Sequence, residues 1–441
     1  MKVFLLFCPA LANHIGNQVD AAAGDNGNVA AFNALCAVYL MAKEISEQKI
    51  PDKITGGTDK ASVDEIKRLF VLTADDKYFE EGPKPPVEPQ ESTESRQTRL
   101  QTWKEEIKAM MDEKVLKDGK QVKKYVRPPG SPARVLANKK IGRIQTQAVD
   151  TVTRIKGVEE SELRLRREAR DLALAAMFGE GVQDADDAGT ATFTSTYTNA
   201  CGGALDANNA AAGKSLANDI VCLCVVQATG TSNQHACGSR FAAELNNKYY
   251  DNPTNGKQAW EILKGKCPHP GETSGNSQHE IASALAAFRA LVGADPGTNG
   301  AIAGFEAILG GQRNAAGCDG NADNAKVCVN YGQHVIKGKG FGAIPWYDKM
   351  RKIILKQKEL DSERSNLQVL QYQLAHLEEL AHQAYLDAEY SSASAPSSEA
   401  TKPEASLPVQ SSEADTKAVR QGVRGPPAYA PPICVILGLL V

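Results

Sequence analysis

The sequence predicts a mainly-α protein: an elongated antiparallel helical bundle or coiled coil carrying a disulfide-stapled, loop-rich upper lobe. Three observations predict it. Apolar residues recur at three- and four-residue steps over long stretches, most regularly between residues 346 and 386. Seven cysteines crowd between Cys201 and Cys328, in a segment dominated by Gly, Ala, Asn and Thr. Aromatic residues make up only 6% of a chain that is 42% hydrophobic, a balance that suits close-packed small-residue helices better than an aromatic-rich sandwich.

Asp25 or Asn28 can cap a first helix running to about Gln48. Its residues Val29, Phe32, Leu35, Cys36, Tyr39 and Ala42 share one face. Pro51 and Gly56-Gly57 end that segment, and the proline-rich stretch Gly82–Pro89 reads as a stiff extended connector. A second helix follows over about Ser95–Val115, with Trp103, Ile107, Met110 and Met111 at helical spacing. Pro128, Pro129, Gly130 and Pro132 then make a turn. A long helix over about Ala133–Met177 carries the stripe Ile141, Ile144, Ala148, Val152 and Ile155.

From Gly179 to Gly342 helical periodicity breaks, and this loop-rich lobe is expected to have little core of its own. Short helices are expected around Ser239–Lys248 and His279–Leu291. Pro345 opens the clearest helix, from Trp346 to about Leu386. Ile353, Leu360, Leu367, Leu374 and Ala381 sit seven apart, and Leu370, Leu377 and Ala384 complete an a/d seam. Lys356 and Glu363 interrupt the second seam position, where a third helix or the lobe would cover the rod. The Ser-, Pro- and Ala-rich residues 391–425 read as a disordered stalk.

Ten cysteines are present. Cys8 falls in an N-terminal apolar run and Cys434 in a C-terminal one. That leaves Cys36, Cys201, Cys222, Cys224, Cys237, Cys267, Cys318 and Cys328. The remainder is even, as an oxidised framework requires, and its connectivity is open. Seven clustered cysteines cannot all pair among themselves, so full bridging within the chain requires one of them to reach back to Cys36. That link would tie the first helix to a distant lobe. The rival arrangement is a zinc site from Cys222, Cys224, Cys237, Cys267 and nearby His269. Its C-x-C spacing is not that of a zinc knuckle, and no second ligand pair follows.

Patterns that carry chemistry are absent or incomplete. Gly213-Lys214-Ser215 resembles the end of a phosphate-binding loop, but Asn208 stands where the first glycine is required. Gly338, Gly340 and Gly342 form a joint rather than a dinucleotide fingerprint. No H-E-x-x-H or G-x-S-x-G occurs, and His376 and His382 read as surface residues. Asn252-Pro253-Thr254 carries the proline that forbids N-glycosylation. The basic stretch Arg96–Arg170 lacks interleaved aromatics, which argues for a solvated helix face and against nucleic acid. No enzyme, metal or cofactor is expected.

The ends point to export. Residues 1–12 fit a short signal peptide, with cleavage as late as residue 23 as the alternative. No internal run reaches the roughly 18 apolar residues of a membrane span. Ile433–Val441 is too short to cross a bilayer, and residues 426–441 read as a weak signal for glycosylphosphatidylinositol (GPI) anchor addition.

These residues point to a family. Gly24-Asp25-Asn26 followed by Phe32-Asn33-Ala34-Leu35-Cys36 resembles the first helix of trypanosome variant surface glycoproteins. Asp219-Ile220-Val221-Cys222-Leu223-Cys224-Val225 resembles the cysteine pair of their lobe. The order of helix, helical hairpin, bridged lobe and long return helix matches over residues 13–390, and the B-type N-terminal domain is the better fit. The resemblance implies a non-catalytic homodimer held on the parasite surface by a GPI anchor. Exchange of such coats underlies antigenic variation and evasion of host antibodies. A surface nutrient receptor on the same scaffold, binding a host serum protein, is the alternative. The chain departs from the family pattern after Cys328. No cysteine precedes Cys434, where one or two small cysteine-rich domains are usual, so an altered end and a released product are also in view.

Overall fold

The computed structural model describes residues 27–52, 57–83, 93–203, 211–227, 236–238, 242–245, 248–268, 277–294, 307–310, 317–320, 327–337 and 340–393. All lie in one compact unit that ends at Ala393. The expected signal peptide, Asp25, most of the proline-rich connector, residues 394–425 of the expected stalk and the anchor signal lie outside the described residues.

The first helix, α1 (Val29–Glu47), buries Phe32, Leu35, Cys36, Val38, Tyr39, Ala42 and Ile45. Its composition would allow it to cross a membrane, at a mean hydropathy of 1.3 over 18 residues, because a core helix and a span pass the same test. Here its apolar face is covered by protein. Asn28 occupies the cap position but makes no side-chain cap. Its amide instead donates to the Leu223 and Val327 carbonyls, both at 2.7 Å, pinning the start of α1 inside the lobe.

Two helices follow where the spacing gave little sign: α2 (Gly57–Thr73), which buries Ile66, Leu69, Val71 and Leu72, and the short α3 (Asp76–Glu81), capped by Asp75. The next, α4 (Thr93–Asp112), stops short of the expected Val115. A hairpin, β1 (Lys114–Lys117) and β2 (Lys120–Lys123), takes over there and pairs Val115 with Val122. Its two-residue turn is Asp118-Gly119, both at positive φ (50° and 75°), the conformation that a tight Asp-Gly hairpin turn demands.

Helix α5 (Pro132–Phe178) starts with the Ser131 hydroxyl accepting from the Arg134 amide and with proline in its first turn, where a missing N–H costs nothing. Its 47 residues make a rod of about 70 Å. Of the expected stripe, Ile141, Ala148 and Ile155 are fully buried, whereas Ile144 and Val152 are half-buried.

The lobe departs most from expectation. It contains α6 (Tyr197–Cys201), α7 (Leu216–Cys224), α8 (Ala242–Leu245), α9 (Pro253–Leu263) and α10 (Gln278–Leu291). The short pair β3 (Ile308–Leu309) and β4 (Val329–Asn330) and the one-turn α11 (Gly332–Val335) complete it. All nine residues of α7 are buried, and Trp260, Phe193, Tyr197, Tyr250, Phe288 and Tyr331 are each at most 0% to 2% exposed. The lobe is therefore densely packed, on a core it shares with α1 and with the ends of α5 and α12. Periodicity is hard to read there because the helices are short, 9 residues in α7 and 11 in α9, and span too few turns to establish a repeat.

Helix α12 (Pro345–Ala393) is 49 residues long and runs past the expected Leu386 into the segment expected to be stalk. It lies antiparallel to α5: Lys349 pairs with Glu180 (3.0 Å), Lys356 with Glu168 (2.9 Å), and the Ser161 hydroxyl donates to Glu363 (2.9 Å). These contacts account for the seam interruptions, since Lys356 and Glu363 are the cross-helix polar partners of α5. The lobe covers the same stretch through α10, whose Gln278 amide donates to Asp361 (2.9 Å). On the seam, Ile353, Leu360, Leu370, Leu374, Ala381 and Ala384 are buried, and Leu367 and Leu377 are half-buried.

Two apolar clusters result. One unites α1, the lobe, the end of α5 and the start of α12 (Trp346, Tyr347, Met350, Ile353). The other unites α2, the first half of α5, Tyr125 and the last part of α12 (Leu370, Leu374, Ala381, Ala384, Tyr385). The seam predicts a graded response. Leu374→Ala is expected to lower unfolding free energy by about 2–5 kcal/mol in denaturant melts, and Leu136→Ala on α5, at 56% exposure, by less than about 0.5 kcal/mol. Equal effects at the two positions would contradict the seam.

Candidate functional site

The cysteines organise the lobe in four bridges: Cys36–Cys267, Cys201–Cys222, Cys224–Cys237 and Cys318–Cys328. Cα separations of 5.1–5.6 Å are ordinary for disulfides. Three bridges are local, with sequence separations of 21, 13 and 10. The fourth spans 231 residues and joins the middle of α1 to Cys267, which follows the 3-10 turn Lys264–Lys266 at the end of α9. Each sulfur of the alternative zinc set is thus occupied by another sulfur. Beside the long bridge, Tyr39 meets Trp260 edge to face with ring centroids 4.9 Å apart.

Asp219, in the first turn of α7, is the polar centre of the lobe. It is fully buried, and four donors converge on its carboxylate. The Tyr331 hydroxyl and the Trp346 indole N–H each donate to Oδ2 at 2.8 Å. The Gly213 amide (3.0 Å) and the Asn218 side chain (3.2 Å) donate to Oδ1. Burial nevertheless pushes its carboxyl up to about 6 from an ordinary 3.8, against the pull of those donors. Trp346 opens α12, so this carboxylate ties the lobe to the return helix.

The phosphate-loop look-alike belongs to the same joint. Ser215 caps α7 by accepting from the Asn218 amide. Gly213 donates to Asp219, and its carbonyl accepts from the Trp346 amide (3.1 Å). Gly213 has φ +85°, and a Cβ there would stand 2.8 Å from Ile344. These groups face protein rather than a phosphate, and the glycine is required by packing.

A second polar node lies toward the other end of the bundle. Glu65 of α2 accepts from the Tyr125 hydroxyl (2.6 Å) and from Lys124 (3.3 Å), and His382 stands 3.3 Å from its second oxygen. Burial alone would raise its carboxyl, but His382, Tyr125 and Lys124 outweigh burial and hold it at about 2. His382 is therefore part of the bundle and not a free surface residue; His376 is exposed. Tyr385 locks the segment between β2 and α5, donating to the Val126 carbonyl and accepting from the Val126 amide.

Among the described residues no three His, Cys, Asp or Glu side chains gather where a metal would sit. Grooves along α2, α4 and α5 are lined by mixed polar and aliphatic side chains. The buried polar groups of the lobe hold its helices to one another.

Fold and site together define a class: a helical bundle that supports a disulfide-stapled lobe, with its buried polar chemistry devoted to architecture. Residues 10–376 match the trypanosomal VSG domain family, and the chain belongs to that family of B-type variant surface glycoprotein N-terminal domains. It is similar to variant surface glycoprotein WRATAT B of Trypanosoma brucei rhodesiense, at 25% identity over 385 residues, covering 84% of this chain and 76% of that protein.

The two carboxylates predict opposite acid responses. Folded Asp219 keeps its proton to higher pH than the unfolded chain, so stability falls as pH rises from about 4 to about 6. Glu65 contributes stability above its ordinary 4.5 that is lost as pH falls toward about 2. Urea melts from pH 4 to 7 are expected to show a slope that Asp219→Asn flattens. A slope unchanged in that variant would remove Asp219 as its source.

Proposed function

We propose that this chain is a non-catalytic coat glycoprotein of the trypanosome surface, and that exchanging it for other family members provides antigenic variation and escape from host antibodies. The family match over residues 10–376 carries the reading. The physical organisation supports it. Chain α12 starts against the lobe at Trp346 and leaves the bundle about 70 Å away at Ala393, on the side remote from the lobe. An anchor beyond residue 393 would hold the lobe outermost. The apolar run Ile433–Val441 would serve as the signal for adding a GPI lipid, with residues 394–425, beyond the end of α12, as the stalk.

A homodimer completes the reading. The outward side of α12 carries a second stripe in heptad register: Leu355 (58% exposed), Val369 (54%), Tyr372 (78%), Leu386 (40%) and Tyr390 (67%). A second copy of the chain presenting the same stripe would cover it through a self-complementary two-fold contact.

Two measurements test these readings. Antibodies raised against the purified chain are expected to label intact trypanosomes expressing it, and a GPI-specific phospholipase to release the label. Labelling confined to permeabilised cells would overturn the surface assignment. Light scattering of the purified chain is expected to give twice the chain mass, falling to one chain for Val369→Glu with Tyr372→Glu at unchanged helicity. A dimer that survives both charges would place its interface elsewhere.

A further inference from the structure

Buried acids in this bundle are generally served by donors. Asp219 has four, Glu65 has Tyr125 and Lys124 on one oxygen and the His382 ring as an ion-pair neighbour of the other, and Glu162 has Arg166 and Arg364. Asp59 breaks this pattern. It sits in the first turn of α2 at 6% exposure, and among the described residues no hydrogen bond or ion pair reaches its carboxylate. Across from it on α5, the Oε1 of Glu159 is also buried with no hydrogen-bond partner. Burial pushes the Asp59 carboxyl up. Burial, then the charges of Asp59 and Glu162, push Glu159 up against the opposing pull of Lys156. Carboxylates left unpaired by the protein are available to a ligand that brings its own donors.

Both acids line a single groove of about 750 Å³ between α2 and α5. Val63, Val149, Val152 and Leu163 give it an aliphatic side, and Thr153 and two exposed acids, Asp52 and Glu160, complete the polar one. Lys60 and Lys156 line it as well, but both are exposed and neither forms an ion pair with Asp59 or Glu159 among the described residues. The groove therefore offers unserved negative oxygen beside hydrocarbon. A divalent metal fits this poorly: a hard cation takes six or more oxygens, and no group of three acidic, His or Cys side chains forms among the described residues. An ammonium or guanidinium group matches two carboxylates with its N–H donors, and a hydrocarbon body matches the valines.

We propose that the groove between α2 and α5 is a binding site for a small organic cation. Its ammonium or guanidinium head sits between Asp59 and Glu159, and its short alkyl body lies on Val63, Val149 and Val152. The site is independent of the coat reading, because it rests on unserved buried acids and on the shape of one groove.

Calorimetric titration of the full chain with n-butylammonium and n-butylguanidinium, each as the chloride, tests it. Saturable one-site binding is expected for at least one probe. Asp59→Asn is expected to weaken it about tenfold or more, the loss of a charge-assisted hydrogen bond. The same variant is expected to raise the melting temperature of the unliganded chain, since it removes an unserved buried charge; a merely structural carboxylate would show the reverse. Val149→Phe narrows the groove from a half-exposed position without touching either acid, and is expected to weaken binding comparably. No saturable binding by the folded chain, binding indifferent to both substitutions, or calcium saturating the site more tightly than either probe would each overturn the proposal.

Discussion

The antiparallel pairing of α5 with α12 is the constraint on which the other contacts rest. Each helix is long enough to serve both apolar clusters, and α12 does so with one continuous seam: Trp346, Tyr347, Met350 and Ile353 at the lobe, Leu370, Leu374 and Ala381 further along. Between the clusters the contact turns polar, where Ser161, Glu162, Glu168, Lys356, Glu363 and Arg364 interlock. Hydrophobic contact tolerates small slides along a helix pair, whereas paired charges and a hydroxyl–carboxylate bond do not. The polar belt therefore fixes the register that the leucines leave loose.

The lobe depends on that register. Asp219 receives a donor from the first turn of α12, and the Trp346 amide donates to the Gly213 carbonyl, so sliding the return helix would strand a buried carboxylate. The disulfides act at a different level. Three close short loops within the lobe, and the fourth fastens α1 to the end of α9 across 231 residues. Because the lobe also has a dense aromatic and aliphatic core, the bridges reinforce a packed structure rather than replace one.

This division of labour suits a coat. The groups that must stay constant for the fold are inside: the seam, the Asp219 node, the Glu65 node and the bridged sulfurs. Substitution at exposed positions away from them costs little stability, so the outer surface of such a scaffold is free to differ between family members. The same logic singles out the groove at Asp59, where the buried Asp59 and the half-buried Glu159 accept no hydrogen bond from another described residue.

Much of this was legible in the sequence for one physical reason. Long amphipathic helices write their packing into a three- and four-residue period, so α1, α5 and the α12 seam could be read directly, and the odd count of clustered cysteines required a link to Cys36. Local signals also mark elements without periodicity: Asn252-Pro253 is a helix start with cap and proline in place, and Asp118-Gly119 marks a hairpin. What tertiary structure alone decided lies where burial is complete or partners are distant. Helix α7 is only nine residues long and is buried on every side, Asn218 and Asp219 included. Cys267 rather than another of the seven meets Cys36 because α1 lies beside α9. Asp219, Glu65 and His382 acquire their roles from residues tens to hundreds of positions away, and a one-dimensional period carries no record of such meetings.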